Sequence, residues 1–400
     1  MNTRRSILKT MAAASALTLW DAPLRYAFAS VPTQRRLVVV ILRGALDGLA
    51  AVPPYGDPDY ANVRGVLAID KTQGLHDLDG FFALHPALTN LKACYDAKQL
   101  AVFHNICSPY RDRSHFDGQN VLETGATAPH ILQDGWLNRA LVPLGLANGQ
   151  SAVAVAQTPP LMLTGPAKAT SWMPSVLPEP DEAFLAKVRA MYAGDAVLAA
   201  SLDSAIALEA EAQAAMDDAS QKDMMKKGGY ANLTPLFSGA GKLLALADGP
   251  RVAVLDAGGW DTHFNEGAAD GLLARRLQAL DAALDALKTS LGPAWTKTAV
   301  VMATEFGRTV HANGSGGTDH GTGGAAFLLG GAVSGGAVHA EWVGLKPDRL
   351  RDGRDQPART DLRSLFKAVL CDHMGVPHRI LDTAIFPDSA PAAALTHLIA

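Results

Sequence analysis

Short apolar runs rich in valine, leucine and alanine recur along the chain, and each ends at a turn. Uninterrupted runs of this kind are typical of strands that are buried on both faces of a parallel sheet. Helical patterns separate the runs, and the clearest, at 273–291, repeats leucine at steps of three and four residues, which predicts an amphipathic helix lying on the sheet. The predicted strands are residues 37–42, 100–104, 152–156, 251–256, 300–303 and 325–329.

This alternation predicts an α/β protein with a doubly wound, mainly parallel sheet. We expect residues 30–400 to form a single domain, with a helical insertion at about 181–219 where alanine, leucine, glutamate and lysine dominate. Further helices are predicted at 86–99 and 361–374, with a short one between 135 and 149.

Residues 1–29 have the features of a leader for export by the twin-arginine machinery. Arg4 and Arg5 precede an apolar stretch at 11–20, and Ala27-Phe28-Ala29 supplies a small-x-small cleavage site. A membrane anchor would need about 18 apolar residues, and no stretch of the remaining chain is that long. The sequence therefore predicts a periplasmic or otherwise exported protein without a transmembrane segment in its mature chain.

Composition narrows the choice of partners. The formal net charge is −4 and 18% of residues are charged, so there is no basic surplus of the kind that nucleic-acid binding requires. Three cysteines, Cys94, Cys107 and Cys371, are too few for a disulfide framework, although they leave room for one bridge.

Carboxylates and histidines follow several of the predicted strands directly. Hard oxygen ligands mixed with imidazole suit zinc, manganese or a similar divalent ion, and two such ions can clamp the oxygens of a displacement at phosphorus or sulfur. Ligands bind outside the carboxyl ends of strands in open α/β sheets, so we expect these side chains to form a metal site. The predicted metal ligands are Asp47, Asp261, His263, Glu305, Asp319 and His320.

Ser114 precedes a predicted helix that Gly125 can end. Its hydroxyl can cap that helix, or it can act as a nucleophile, because a helix amino terminus beside basic side chains can hold an anion. In the second case His115 serves as a base or a further ligand, and Arg113 or Arg308 holds the anionic oxygens of the substrate.

A purely structural interpretation of the same residues stays open. Asp47, Asp261 and Asp319 would then be turn residues near glycine, and His263 and His320 would be hydrogen-bonded loop histidines. Glu305 would pair with Arg308, since charged pairs at strand ends are also common in structural networks.

Several separated motifs resemble an exported family known as domain of unknown function 1501. The resemblance covers essentially the whole mature chain and implies the fold of the alkaline phosphatase and sulfatase superfamily, with a two-metal hydrolase ancestry. Besides the twin-arginine leader, the motifs are residues 42–48 (Leu-Arg-Gly-Ala-Leu-Asp-Gly), 84–88 (Leu-His-Pro-Ala-Leu), 113–116 (Arg-Ser-His-Phe), 261–263 (Asp-Thr-His), 304–309 (Thr-Glu-Phe-Gly-Arg-Thr) and 317–321 (Gly-Thr-Asp-His-Gly).

The resemblance assigns roles to some of these residues. Asp47 resembles the first-strand metal aspartate, Ser114 the nucleophile, and His320 the last histidine ligand. Phe306 stands where the superfamily often has a histidine ligand, which puts a second metal in question. Cys107 begins a segment similar to the sulfatase signature, but the Leu-Thr-Gly of that signature does not follow at the usual distance, so we expect an ordinary buried thiol.

The sequence therefore predicts an exported, metal-dependent hydrolase of phosphate or sulfate esters, with one or two divalent ions and a small anionic ester as its substrate. The alternative is a non-catalytic periplasmic binding or assembly protein, with a protein partner, whose phosphatase-like site is degenerate. Phe306 is the residue that most favours this alternative.

Overall fold

The computed structural model describes residues 33–156, 158–173, 180–215 and 233–400. The predicted leader at 1–29 and residues 216–219 of the predicted insertion lie outside this range. The strands are β1 (Arg36–Arg43), β2 (His76–Asp77), β3 (Ala83–Leu84), β4 (Leu100–Cys107), β5 (Asn148–Val155), β6 (Lys168–Ser171), β7 (Val252–Gly258), β8 (Thr298–Ala303), β9 (Gly324–Leu329), β10 (Ala337–Ala340) and β11 (Thr360–Asp361).

Within the described residues, each predicted helical segment contains a helix, with shifted ends. They are α1 (Gly48–Ala51), α2 (Tyr60–Arg64), α3 (Thr89–Asp96), α4 (His115–Thr124), α5 (Trp136–Leu141), α6 (Glu182–Tyr192), α7 (Ala196–Ala215), α8 (Leu233–Ala245), α9 (Leu272–Leu291), α10 (Leu362–Ala368) and α11 (His378–Ile380). The helix predicted at 361–374 continues after α10 as a π-helix over Val369–His373. The short helix predicted between 135 and 149 is α5, which ends before β5 begins at Asn148.

Within the described residues, one large sheet has the order β10, β4, β9, β8, β1, β7, β5, β6, with β11 also paired to β4. All of these pairs are parallel except the two that involve β9. The mainly parallel α/β sheet predicted from the sequence is confirmed, with β1 at its centre between β7 and β8.

Helices cover both faces of the sheet, and the residues of β1 are therefore divided between two apolar cores. Val38, Val40 and Leu42 belong to one apolar core, which also contains residues of α3, α8 and α9. The alternating residues of β1 belong to a second core with residues of α4, α5 and α10. Successive side chains of a strand point to opposite faces, so this division shows the doubly wound arrangement directly.

The reversed direction of β9 positions a long loop. The main chain leaves the sheet at the carboxyl end of β8, residue Ala303, and re-enters at Gly324. Because β9 is antiparallel to β8, both ends of the 304–323 loop lie at the same edge of the sheet. The carboxyl ends of β1 and β7 lie at that edge too, since Ile41 pairs with both Asp256 and Ala303.

All three cysteines are free thiols, and Cys94 and Cys107 are buried. Burial raises the pKa of Cys107 to about 11, so this thiol is unreactive at neutral pH, as its interpretation as an ordinary buried cysteine requires. Among the helices described here, none combines the length and apolar character needed to cross a membrane.

Candidate metal centre

Three histidines surround one aspartate at the carboxyl edge of the sheet, and we call His115, Asp261, His263 and His320 the His–Asp cluster. His115 is the first residue of α4, Asp261 and His263 follow β7, and His320 comes from the 304–323 loop. The Nε2 atoms of His263 and His320 lie 3.0 and 3.1 Å from Asp261 Oδ1. His115 Nε2 lies 3.5 Å from Asp261 Oδ2.

The other ring nitrogen of each histidine is held by an oxygen acceptor. Nδ1 of His115 is 2.7 Å from Glu305 Oε1. Nδ1 of His320 is 2.9 Å from the main-chain carbonyl of Arg113, and Nδ1 of His263 is 3.2 Å from Asp319 Oδ1. Carbonyl and carboxylate oxygens only accept, so each Nδ1 is placed to donate to its partner and each ring turns Nε2 toward Asp261.

The Nε2 atoms lie close together beside the Asp261 carboxylate. His263 Nε2 lies 3.0 Å from His320 Nε2, and the buried Nε2 of His115 has no hydrogen-bond partner among the described residues. A cation between these nitrogens and the carboxylate would take them as its ligands. The spacing approaches the edge of about 3.3 Å that tetrahedral zinc with Zn–N bonds near 2.0 Å would have. Ligand atoms of His115, Asp261 and His320 all lie within 4.8 Å of one another. The residues therefore fit a divalent ion.

Glu305 stands behind His115. Its side chain is fully buried and accepts from the Gly44 amide at 2.9 Å and from Gln119 Nε2 at 3.2 Å. Burial raises the pKa of Glu305. The hydrogen bonds from His115 and from main-chain and side-chain donors lower it by more than burial raises it, so the net pKa falls. The hydrogen bond to Glu305 in turn raises the pKa of His115 above its usual value, against the effect of burial.

The predicted ligand set is thus divided in two by the structure. Asp261, His263 and His320 come together, and His115 joins them. Glu305 and Asp319 instead hold the Nδ1 atoms of two of these histidines. Carboxylates in that position fix the tautomer and orientation of metal-binding imidazoles.

Asp47 is occupied by other partners. Its Oδ1 accepts from the amides of Leu49 and Ala50 at 2.9 and 3.1 Å, which caps α1. Its Oδ2 accepts from Arg64 Nη2 at 2.7 Å, and both side chains are buried. Burial raises the pKa of Asp47, but the Arg64 charge outweighs it and the net pKa falls. The structure does not bring Asp47 into the His–Asp cluster, and metal binding by Asp47 would require Arg64 to leave.

Both predicted anion-holding arginines are already paired. Arg308 is buried and donates to Asp261 Oδ1 at 2.6 Å, and this bond together with the Arg308 charge lowers the pKa of Asp261 despite burial. Arg113 pairs with Asp352 and Asp355 at 2.9 and 2.7 Å. Its contribution to the site comes from its main-chain carbonyl, which a left-handed backbone (φ 63°) directs.

Ser114 occupies the N-cap position of α4, but its side chain makes no capping hydrogen bond. The capping role expected for its hydroxyl was therefore wrong, while Gly125 ends the helix as predicted, with φ 68°. The Ser114 amide donates to the hydroxyl of Tyr110 at 3.2 Å. Its role as a nucleophile stays a prediction.

Phe306 packs against the His–Asp cluster. Its buried ring stacks on His115, with centroids 5.1 Å apart and an interplanar angle of 29°, and lies 5.3 Å from the ring of His320. The residue that replaces an expected histidine thus packs against two of the histidines that remain.

Sequence reasoning missed two buried residues that support the site. Arg64 lies in a segment of mixed composition that gave no signal. Glu266, three residues after His263, accepts from the hydroxyls of Thr262 and Thr318 at 2.9 and 2.7 Å, and burial raises its pKa to about 8. Its place in the loop that carries Asp261 and His263 was the one clue available.

Comparison with solved structures finds likenesses of low identity. The chain is similar to the zinc-complexed C-terminal periplasmic domain of EcEptC from Escherichia coli (10% identity, 76% of this chain and 74% of that chain, TM-score 0.38). It is also similar to the phosphonate monoester hydrolase of Agrobacterium radiobacter (13%, 86% and 74%, TM-score 0.36). A third likeness is to Ps i-CgsB in complex with k-i-k-neocarrahexaose (11%, 90% and 77%, TM-score 0.40).

No curated protein matches the chain. The family profile described as "Protein of unknown function (DUF1501)" matches residues 34–384, which include every residue of the His–Asp cluster. The resemblance seen in the separated sequence motifs is thereby confirmed, and the chain belongs to the DUF1501 family.

Proposed function

We propose that this chain is a metal-dependent hydrolase of phosphate or sulfate esters whose single divalent ion, zinc or manganese, is held by the His–Asp cluster. The observation that carries the proposal is the common orientation of the three imidazoles. Each gives its Nδ1 proton to an oxygen acceptor and turns Nε2 toward Asp261. Imidazoles oriented in this way, together with a carboxylate, are a donor set that such ions prefer.

One ion fits the charges better than two. The Asp47 carboxylate, which the family resemblance would give to a metal, is neutralised by the buried Arg64 guanidinium at 2.7 Å. A guanidinium is always charged at physiological pH. The position beside Asp47 therefore already holds a positive charge. Asp261 is also paired with a buried arginine, Arg308, through Oδ1, but three histidines place their Nε2 atoms within 3.5 Å of its carboxylate.

The residues of the chain have distinct tasks in this proposal. When bound, the ion supplies Lewis acidity toward the ester and a water nucleophile near neutral pH. Glu305 and Asp319 keep the His115 and His263 rings oriented, Arg308 fixes the Asp261 carboxylate, and Phe306 closes the buried side of the site against water. Ser114, next to His115, is the candidate for a side-chain nucleophile.

We further propose that the chain acts outside the cytoplasm, with residues 1–29 as a leader for the twin-arginine machinery and residues 30–400 as one domain. Export of a folded protein by this route would let the metal enter before translocation. Detection of a mature amino terminus near residue 30 in the periplasmic fraction would support this proposal, and an uncleaved cytoplasmic chain would contradict it.

The function is tested by metal analysis combined with an ester assay. The mature chain would be isolated after export and its zinc and manganese content measured. It would then be assayed for hydrolysis of 4-nitrophenyl phosphate, bis(4-nitrophenyl) phosphate and 4-nitrophenyl sulfate. Asp261→Ala and His263→Ala are expected to lose both metal and activity. His311→Ala changes an exposed histidine of the 304–323 loop and should retain both.

One set of observations favours the non-catalytic alternative, a periplasmic binding or assembly protein. Arg113 and Arg308, the expected anion-holding side chains, are both paired with carboxylates of the chain itself. A wild-type protein that binds metal but hydrolyses none of the three esters would support this alternative. A protein without metal, whose Asp261→Ala variant behaves like wild type, would contradict the hydrolase.

A further inference from the structure

The proposed function leaves open which side chain binds the negative charges of the substrate. Arginines around the site are engaged with the chain's own acceptors. Arg43 pairs with Glu123 and Asp256, Arg64 with Asp47, Arg113 with Asp352 and Asp355, and Arg308 with Asp261.

Arg276 differs from these arginines because no carboxylate pairs with its guanidinium among the described residues. It lies near the start of α9 and is half-buried. Its Nε is buried without a hydrogen-bond partner, and it makes no ion pair within the part of the chain that the structure describes. A guanidinium donor that is removed from water without compensation costs free energy, and an anion at this position would remove that cost.

The guanidinium lies against the turn that leads into the metal centre. A Cβ atom on Gly259 would be 1.9 Å from Arg276 Nη1 and 2.6 Å from Cζ, so a side chain at position 259 would displace the guanidinium. Gly259 also has a φ of +93°, which favours glycine. Two residues later comes Asp261 of the His–Asp cluster, at most about 7 Å away between Cα atoms. Arg276 is therefore a neighbour of the metal centre at the same edge of the sheet.

We propose that Arg276 binds an anionic group that the substrate carries beside its scissile ester. The inference rests on the proposed hydrolase function and names its substrate class: phosphate or sulfate esters with a second negative charge, such as a further phosphate, sulfate or carboxylate group. Arg276 is a specificity-determining residue in this account, while the ion and the His–Asp cluster serve the reacting ester.

The test uses inorganic sulfate as the probe and calorimetry on the full mature chain. Arg276→Gln is expected to weaken sulfate binding by roughly tenfold or more, because a charge-assisted hydrogen bond is lost. Arg275→Gln removes the same charge from the exposed neighbouring position and should bind like wild type. Gly259→Ala should also weaken binding by displacing the guanidinium, while Gly258→Ala, with nothing within 4 Å of its Cβ, should not.

The His320→Ala background separates this inference from the proposed function. That variant is expected to lose the ion yet keep the sulfate binding that depends on Arg276. Equal sulfate affinity in wild type and Arg276→Gln, or no sulfate binding in either, would overturn the role of Arg276. Failure of the wild type to take up metal or to hydrolyse esters would instead count against the hydrolase, whatever the calorimetry shows.

Discussion

Replacing Glu305 by glutamine removes one negative charge behind His115 and changes almost no volume. In the wild type, Oε1 accepts from His115 Nδ1 at 2.7 Å and from the Gly44 amide at 2.9 Å. Oε2 lies 2.9 Å from Thr304 Oγ, whose own proton can go to the Leu42 carbonyl at 2.7 Å. A glutamine amide at the Oε2 position can donate to that hydroxyl, so we expect Glu305→Gln to fold.

The expected result is a metal affinity lower by roughly 10- to 100-fold, which corresponds to about 1.4–2.7 kcal/mol. The loss arises because the neutral amide orients His115 less firmly and makes its Nε2 less basic. Asp319→Asn should cost less, since the Asp319 side chain is 51% exposed whereas that of Glu305 is fully buried, and water screens the exposed carboxylate.

The measurement is zinc affinity by competition with a chromogenic chelator at pH 8. The pH matters because the hydrogen bond to Glu305 raises the pKa of His115. Below that raised pKa, protons compete with the metal for the His115 ring. Glu305→Gln lowers the pKa of His115 and so weakens this competition. An alkaline pH reduces this competition in both proteins. Glu341→Gln, at a 63% exposed side chain, is the charge control. Equal zinc affinity in Glu305→Gln and wild type would refute the role given to this carboxylate.

Three further predictions concern stability. Gly307→Ala places a methyl group 2.0 Å from the Gly323 carbonyl oxygen, so the free energy of unfolding measured in urea should fall by about 3 kcal/mol or more. Gly314→Ala, with open space around it, is the control and should lower it by under about 0.5 kcal/mol. Burial lowers the pKa of His104 to about 4, so the unfolded chain takes up a proton below its pKa of 6.5 while the folded chain does not. Stability should fall by about 2 kcal/mol from this residue between pH 7 and pH 5, and an unchanged pH dependence in His104→Phe would contradict this. Arg64→Met leaves the buried Asp47 carboxylate unpaired and should cost about 3–5 kcal/mol, part of which an added Asp47→Asn change should recover in thermal unfolding.

The sheet could be predicted because its central strands are apolar on both faces. Residues 37–42 and 300–303 carry no polar side chain, and only a strand covered by helices on both sides needs such a run. The direction of β9 could not be predicted in the same way, because the apolar pattern of a buried strand is the same in either orientation. That reversal nevertheless decides where His320 lies.

The site was predictable as a region, and its division of roles was not. Position after a buried strand identified Asp261, His263 and His320 correctly as neighbours. Glu305, predicted as a ligand, lies behind His115 instead, and His115, expected as a base or a further ligand, faces Asp261. Which of two polar groups faces a common centre depends on the path of two loops that are distant in sequence. Arg64 and Asp47 show the same limit, because a buried ion pair between a turn and a short helix leaves no periodic signal.

The most direct test of the metal centre is X-ray absorption at the zinc edge of the zinc-loaded wild-type chain. We expect one zinc ion per chain, with imidazole scattering and metal–ligand distances of about 2.0–2.1 Å, and loss of both in His320→Ala. A zinc ion surrounded by oxygen ligands alone, or a spectrum that His320→Ala leaves unchanged, would contradict it.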